Sequence, residues 1–145
     1  MKVDIVNNKY IVYLYDEKYN NKDIKQLLKE LLNILKKYYG CKINSSSNLR
    51  LYINKYYGMI LEITNEEEFN QLGLININLK ILNDTLFLYE IEDPLDYLNE
   101  DIYYYNNKYY LSIKKKSINI MENAKIIYGK EVYKIIGKGI KLWYN

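Results

Sequence analysis

The 145-residue sequence contains no histidine. Histidine is the commonest general base in enzymes and the commonest protein ligand of transition metals. Its absence excludes Ser/His/Asp catalysis, Cys/His catalysis and histidine-ligated zinc. Enzymatic chemistry that uses carboxylate, lysine or tyrosine side chains remains possible.

Cysteine, arginine and proline each occur once, as Cys41, Arg50 and Pro94. A single cysteine forms neither an internal disulfide nor a Cys-x-x-Cys metal site, which favours a reducing compartment. A single arginine leaves little scope for bidentate recognition of phosphate. The sequence has no apolar run near the roughly 20 residues of a membrane span, and it starts without the apolar core of a signal peptide. We therefore expect a cytoplasmic protein without membrane contact.

The composition is that of a folded chain, with 49% hydrophobic and 27% charged residues. A domain of this length buries roughly 70% of the surface that its unfolded chain exposes, which is enough to fold without a metal or a disulfide. We expect residues 1–145 to form a single α+β domain with no cofactor.

Short polar turns between apolar segments predict four β-hairpins. The turns lie at Asn7-Asn8, between Lys55 and Gly58, at Asn83-Asp84 and at Asn106-Asn107. Asparagine tolerates the positive φ that tight hairpin turns require. The return strand of the third hairpin is apolar on both faces, which predicts that it lies between two other strands.

Apolar residues recur at helical spacing over residues 23–39, and Gly40 is a natural stop for this helix. Asp93-Pro94 predicts a short helix over residues 93–98. A further helical stretch is predicted over residues 120–136, kinked near Gly129, before a short last strand.

The predicted fold is α+β, with a mainly antiparallel sheet built from hairpins and packed against one long N-terminal helix and a C-terminal helical segment. The same periodicities predict the core, which comprises Val12, Leu14, Leu28, Leu31, Leu35, Leu51, Ile53, Leu61, Leu79, Leu86 and Leu88.

Charge is unevenly distributed near the end of the chain. Residues 84–107 carry seven acids and no base, and residues 108–145 carry nine lysines and two acids, so the two segments are expected to face each other. The acidic set suits a hard cation, but its spacing matches neither an EF-hand nor a nuclease signature, which favours a solvated surface. Its members are Glu90, Glu92, Asp93, Asp96, Glu100 and Asp101.

Two further features have a functional and a structural interpretation. Lys114, Lys115 and Lys116 would form a basic patch for nucleic acid, although a net charge of only +3 favours a solvated turn. Cys41 lies near three lysines and would be a reactive thiol if it were exposed, whereas a lone cysteine is more often a small buried side chain.

The fourth hairpin gives the leading functional hypothesis. A two-residue turn places Tyr103, Tyr105, Lys108 and Tyr110 on one face. Three tyrosines on a polar face are typical of a protein-binding surface. The alternative is that the C-terminal helix covers this face. The opposite face carries Ile102, Tyr104, Tyr109, Leu111 and Ile113.

These observations predict a non-enzymatic protein-interaction module, such as an adaptor or an inhibitor, that binds a protein through Tyr103, Tyr105, Lys108 and Tyr110. The run of residues 86–113, with its Tyr-rich hairpin, is loosely similar to the C-terminal half of MecA-type proteolytic adaptors over under a third of the chain. The alternative is nucleic-acid binding through residues 114–116. A carboxylate-dependent metal enzyme is a third hypothesis, for which the sequence has no motif.

Overall fold

A computed structural model describes residues 1–17, 24–43, 47–65 and 78–143. The described residues form ten strands in two sheets, three α-helices and one 3₁₀ turn, which confirms the α+β class. The chain divides into two compact units, Met1–Ile53 with Gly58–Leu82, and Asn54–Tyr57 with Asn83–Asn145. The expectation of a single domain stays a prediction. No helix among the described residues has the length and the apolar composition to cross a membrane.

The first unit contains a five-stranded sheet in the order β1-β2-β4-β3-β5. The β1–β2 and β2–β4 pairs are antiparallel, and the β3–β5 pair is parallel. The strands are β1 (Lys2–Val6), β2 (Lys9–Tyr15), β3 (Ser47–Asn54), β4 (Gly58–Asn65) and β5 (Asn78–Leu82).

The first two predicted hairpins are present. Asn7 takes a φ of 57° in the turn between β1 and β2, where Val6 pairs with Lys9. The turn between β3 and β4 lies at residues 55–57, as predicted.

Helix α1 (Ile24–Tyr38) covers one face of this sheet. Its buried stripe is Ile24, Leu28, Leu31 and Leu35, which is the spacing that places side chains on one side of a helix. Strand residues that include Val12, Leu51, Met59, Leu61 and Ile63 complete the cluster. After the helix, Gly40 takes a φ of +64°, and the Cys41 N–H donates to the Leu35 carbonyl at 3.1 Å.

The helix predicted over residues 23–39 is present as α1, but the expectation that it is N-terminal in the fold is wrong. The first helix starts at Ile24, after a complete hairpin.

The second unit contains the other sheet, in the order β10-β7-β8-β6-β9. All four pairs of adjacent strands in this sheet are antiparallel. Its elements are β6 (Leu88–Ile91), the 3₁₀ turn (Pro94–Tyr97), β7 (Asp101–Tyr105), β8 (Lys108–Ser112), α2 (Ile118–Asn123), β9 (Lys125–Ile127), α3 (Lys130–Lys138) and β10 (Ile140–Lys141).

The third predicted hairpin is wrong. Strand β5 pairs with β3 in the first sheet, whereas β6 lies between β8 and β9 in the second. Five residues separate β5 from β6, and Leu86 among them is 46% exposed and outside the core. The position of β6 between two strands is confirmed, and it explains why Leu88 and Tyr89 are both buried although they point to opposite faces.

The predicted C-terminal helix is two helices. Residues 125–127 leave the helical path and pair with β6, and Gly129 then takes a φ of +71° directly before α3. The short helix after Asp93 is a 3₁₀ turn, whose first free N–H, at Leu95, donates to the Asp93 carboxylate at 2.9 Å.

The core of the first unit is tested by replacing Leu31, which is 5% exposed, with alanine. Loss of a buried leucine side chain is expected to lower the free energy of unfolding by about 2 to 5 kcal/mol. Ile34 is the matched control, because it lies on the same helix and is 39% exposed. Its replacement by alanine is expected to change stability by about 0.5 kcal/mol or less. Urea unfolding followed by circular dichroism measures both, and equal losses would remove Leu31 from the core.

Candidate interaction surface

The β7–β8 hairpin is closed by Asn106 and Asn107, with φ values of 48° and 63°. Two consecutive positive φ values are the signature of a type I′ turn, whose twist matches that of paired strands. The turn fixes Tyr103 opposite Tyr110, Tyr104 opposite Tyr109 and Tyr105 opposite Lys108. This is the register expected from the sequence.

The predicted binding face packs against helix α3. Tyr110 is 8% exposed and shares a core cluster with Leu88 of β6 and with Val132 and Ile135 of α3. Tyr103 and Tyr105 are half-buried against the same cluster. Burial is also the largest cause of the raised pKa of the Tyr110 hydroxyl. The C-terminal helix therefore covers much of this face.

Lys108, the fourth predicted binding residue, lies at the edge of that face. Its ammonium group contacts the Glu90 carboxylate at 2.9 Å, and a hydrogen bond to Glu90 is the main cause of its raised pKa. Lys108 is thus engaged within the hairpin's own sheet. The binding role of Tyr103, Tyr105, Lys108 and Tyr110 stays a prediction.

The opposite face of the sheet is closed at one end and more open at the other. Ile102, Leu111 and Tyr89 are directly paired across three strands and are at most 2% exposed. The next row toward the hairpin tip, which we call the outer row, is uncharged and spans four strands. It consists of Ile140, Tyr104, Tyr109 and Ile91.

The outer row combines one exposed residue with three half-buried ones. Ile140 is 63% exposed, and Tyr104, Tyr109 and Ile91 are of intermediate exposure. The rings of Tyr104 and Tyr109 are 5.2 Å apart and tilted by 48°, and the Tyr104 hydroxyl donates to Asn107 at 2.9 Å. The two rings are therefore held in fixed positions.

Gly139 places Ile140 beside Tyr104. A Cβ at this glycine would lie 2.5 Å from the Ile135 carbonyl oxygen and 3.1 Å from that of Tyr104. Only glycine allows the backbone to pass this closely from α3 into β10. The sequence-based prediction does not include Ile91 and Ile140. Both lie on strands, β6 and β10, that are distant from the hairpin in the sequence, so their pairing with it leaves no local sequence signal.

The acidic and lysine-rich segments face each other, as expected. Lys108 contacts Glu90, Lys115 contacts Glu100 at 3.4 Å, and Lys141 contacts Asp101 at 3.3 Å. Residues 84–145 contain nine acids and nine lysines, so this part of the chain is balanced in charge. Lys114, Lys115 and Lys116 are all exposed, and Lys115 is the partner of Glu100.

The predicted acidic residues are used singly rather than as a cluster. Glu90, Glu100 and Asp101 contact lysines, and Asp93 caps the 3₁₀ turn. Across the described part of the chain, no three acids or cysteines are grouped as metal ligands. The absence of a cofactor stays a prediction.

Cys41 is 5% exposed and belongs to the core cluster of the first unit. Burial raises the pKa of its thiol, which opposes formation of the nucleophilic thiolate. The side chain therefore acts as a small apolar group at the end of α1.

Comparison of the chain with protein-family models, with curated proteins and with solved structures gives no significant match. The functional argument therefore depends on the geometry above.

Covering of the tyrosine face by α3 predicts a large effect of Tyr110→Ala on stability. Removal of this buried ring is expected to lower the free energy of unfolding by about 2 to 5 kcal/mol. Tyr133→Ala on α3 is the control, since Tyr133 is 56% exposed, and it is expected to cost about 0.5 kcal/mol or less. A Tyr110→Ala variant as stable as the control in urea would show that the face is open.

The buried Cys41 thiol is expected to react slowly with a disulfide reagent such as DTNB in the native protein at neutral pH. Unfolding in urea should expose the thiol and raise the rate to that of an ordinary cysteine. Because burial raises the thiol pKa, the native rate should still be increasing with pH at values where an ordinary thiol is already ionised. A native rate equal to the unfolded rate would contradict the burial.

Proposed function

We propose that this chain is a non-enzymatic, cytoplasmic protein-interaction module that binds a protein partner through the outer row. The observation that supports the proposal is the row itself, in which Ile140, Tyr104, Tyr109 and Ile91 lie side by side on four adjacent strands. The hairpin remains the binding element expected from the sequence, with its contact surface on the face away from α3.

The chemistry of the row favours a protein as the partner. Tyrosine offers a large contact area with few rotatable bonds, so little conformational entropy is lost when it is immobilised. The ring contact and the hydrogen bond to Asn107 already restrict Tyr104. A preordered aromatic pair beside the exposed Ile140 resembles the apolar centre of a protein interface.

Nucleic-acid binding is supported less well. Single strands are bound by aromatic stacking in a groove that also neutralises phosphates, and this requires unbalanced positive charge. In the second unit, Lys108, Lys115 and Lys141 contact carboxylates, and the four members of the outer row carry no charge. Lys114, Lys115 and Lys116 are exposed and are the lysines that this alternative would use.

The proposal predicts that Ile140→Lys abolishes capture of the partner from a lysate of the native cells, because it places a charge at the apolar centre. Ile118→Lys is a matched control, since Ile118 is 62% exposed and the variant has the same net charge. The partner should be retained by the control and by the unaltered chain, and its binding should persist from low to moderate salt and after nuclease treatment.

A nucleic-acid ligand would give the opposite pattern. The added lysine would maintain or strengthen capture, and nuclease or moderate salt would remove the bound material. That result, or equal capture of the same protein by Ile140→Lys and Ile118→Lys, would contradict the proposal. Circular dichroism of each variant confirms that the comparison is between folded chains.

A further inference from the structure

Strand β1 forms one edge of the first sheet and pairs with β2 on one side. Among the described residues, none pairs with its other side. Three apolar side chains in this part of the chain are exposed. Ile5 and Val6 of β1 are 66% and 50% exposed, and Met1, which precedes the strand, is 53% exposed. Exposed apolar edge strands are templates for pairing with another strand.

The turn determines which backbone groups of β1 point away from β2. The pair that flanks a two-residue turn, here Val6 and Lys9, exchanges both of its backbone hydrogen bonds. Hydrogen-bonded and non-hydrogen-bonded pairs then alternate along the ladder. Lys2, Asp4 and Val6 therefore bond to β2, and the N–H and C=O groups of Val3 and Ile5 point outward.

We propose that β1 pairs antiparallel with β1 of a second copy of this chain, in a register centred on Val3. In this register Val3 lies opposite Val3 of the second copy, and Ile5 lies opposite Met1. Lys2 lies opposite Asp4 in both directions. The sequence of the strand is thus complementary to itself in both charge and hydrophobicity.

The backbone permits this register, and the charged side chains select it. Val3 and Ile5 supply the outward hydrogen-bonding groups, so Lys2 and Asp4 fall at non-hydrogen-bonded positions, where opposite side chains approach most closely. A register centred on Asp4 would place two carboxylates opposite each other. The outward backbone groups would allow that register too, so the charged side chains decide against it.

The charged side chains lie on one face at the edge. Lys2 Nζ is 3.9 Å from the Asp4 carboxylate and 5.2 Å from the centre of the Tyr13 ring. Asp4 accepts a hydrogen bond from Tyr13, whose pKa burial and Asp4 together raise to about 12. Both charged side chains keep substantial exposure, 69% and 39%, so a second copy can reach them.

The pairing is tested with two charge variants in a chain tagged after its last residue. Lys2→Asp places an acid at both position 2 and position 4, and Asp4→Lys places a lysine at both of these positions. Each variant repels a copy of itself, but the two variants complement each other across the proposed register. Lys25→Asp controls for the change in net charge of Lys2→Asp, because Lys25 is an exposed residue of α1 in the same unit.

Analytical ultracentrifugation of the unaltered chain and of Lys25→Asp is expected to show a concentration-dependent species of about twice the 17.5 kDa monomer mass. Each single charge variant should raise the dimer Kd by about tenfold or more, since two attractive pairs become repulsive. An equimolar mixture of the two variants should form dimers again. If Asp4→Lys is not folded by circular dichroism, Ile5→Pro replaces it, because it removes an outward N–H and should give a folded monomer.

The proposal is overturned if the unaltered chain stays monomeric at all concentrations, or if either variant dimerises as tightly as Lys25→Asp. It is also overturned if the mixture of two folded variants stays monomeric. The test shares no residue with the outer row, so its failure leaves the proposed function unchanged.

Discussion

Two adjacent asparagines, Asn106 and Asn107, hold left-handed backbone conformations and close the β7–β8 hairpin after two residues. Side chains alternate between the faces of a strand, so this register decides which face each tyrosine occupies. Tyr103, Tyr105 and Tyr110 fall on the side of α3, and Tyr104 and Tyr109 fall on the other side. One additional residue in the turn would exchange the two sets on one strand.

The two faces differ near the tip of the hairpin because α3 packs on one of them, whereas Tyr104 and Tyr109 on the other stay partly exposed. Val132 and Ile135 of α3 pack on Leu88 and Tyr110, which makes that face part of the core. The chain then passes Gly139, where no Cβ would fit, and adds β10 to the sheet with Ile140 beside Tyr104. The same C-terminal segment therefore covers the face that carries Tyr110, through α3, and completes the outer row on the opposite face, through β10.

The sequence predicts the local structure well, because turn residues and periodicity carry the information. Three elements could be predicted because their signals come from residues that are close together in the sequence. They are the hairpins at Asn7-Asn8 and Asn106-Asn107 and helix α1. The third hairpin and the continuous C-terminal helix were wrong, because β5, β9 and β10 pair with strands far away in the sequence. For the same reason Ile91 and Ile140 could not be placed beside the hairpin from the sequence, although the register of the hairpin itself is confirmed.

The most direct test of this division of roles is a pair of double-mutant cycles for unfolding in urea. Alanine at Tyr110 and at Val132, which share one core cluster, should show a coupling free energy of about 0.5 kcal/mol or more. Alanine at Tyr104 and at Val132, which lie on opposite sides of the sheet, should be additive within about 0.5 kcal/mol. Coupling of Val132 to Tyr104 with additivity toward Tyr110 would contradict the account, since it would place α3 on the face that we assign to binding.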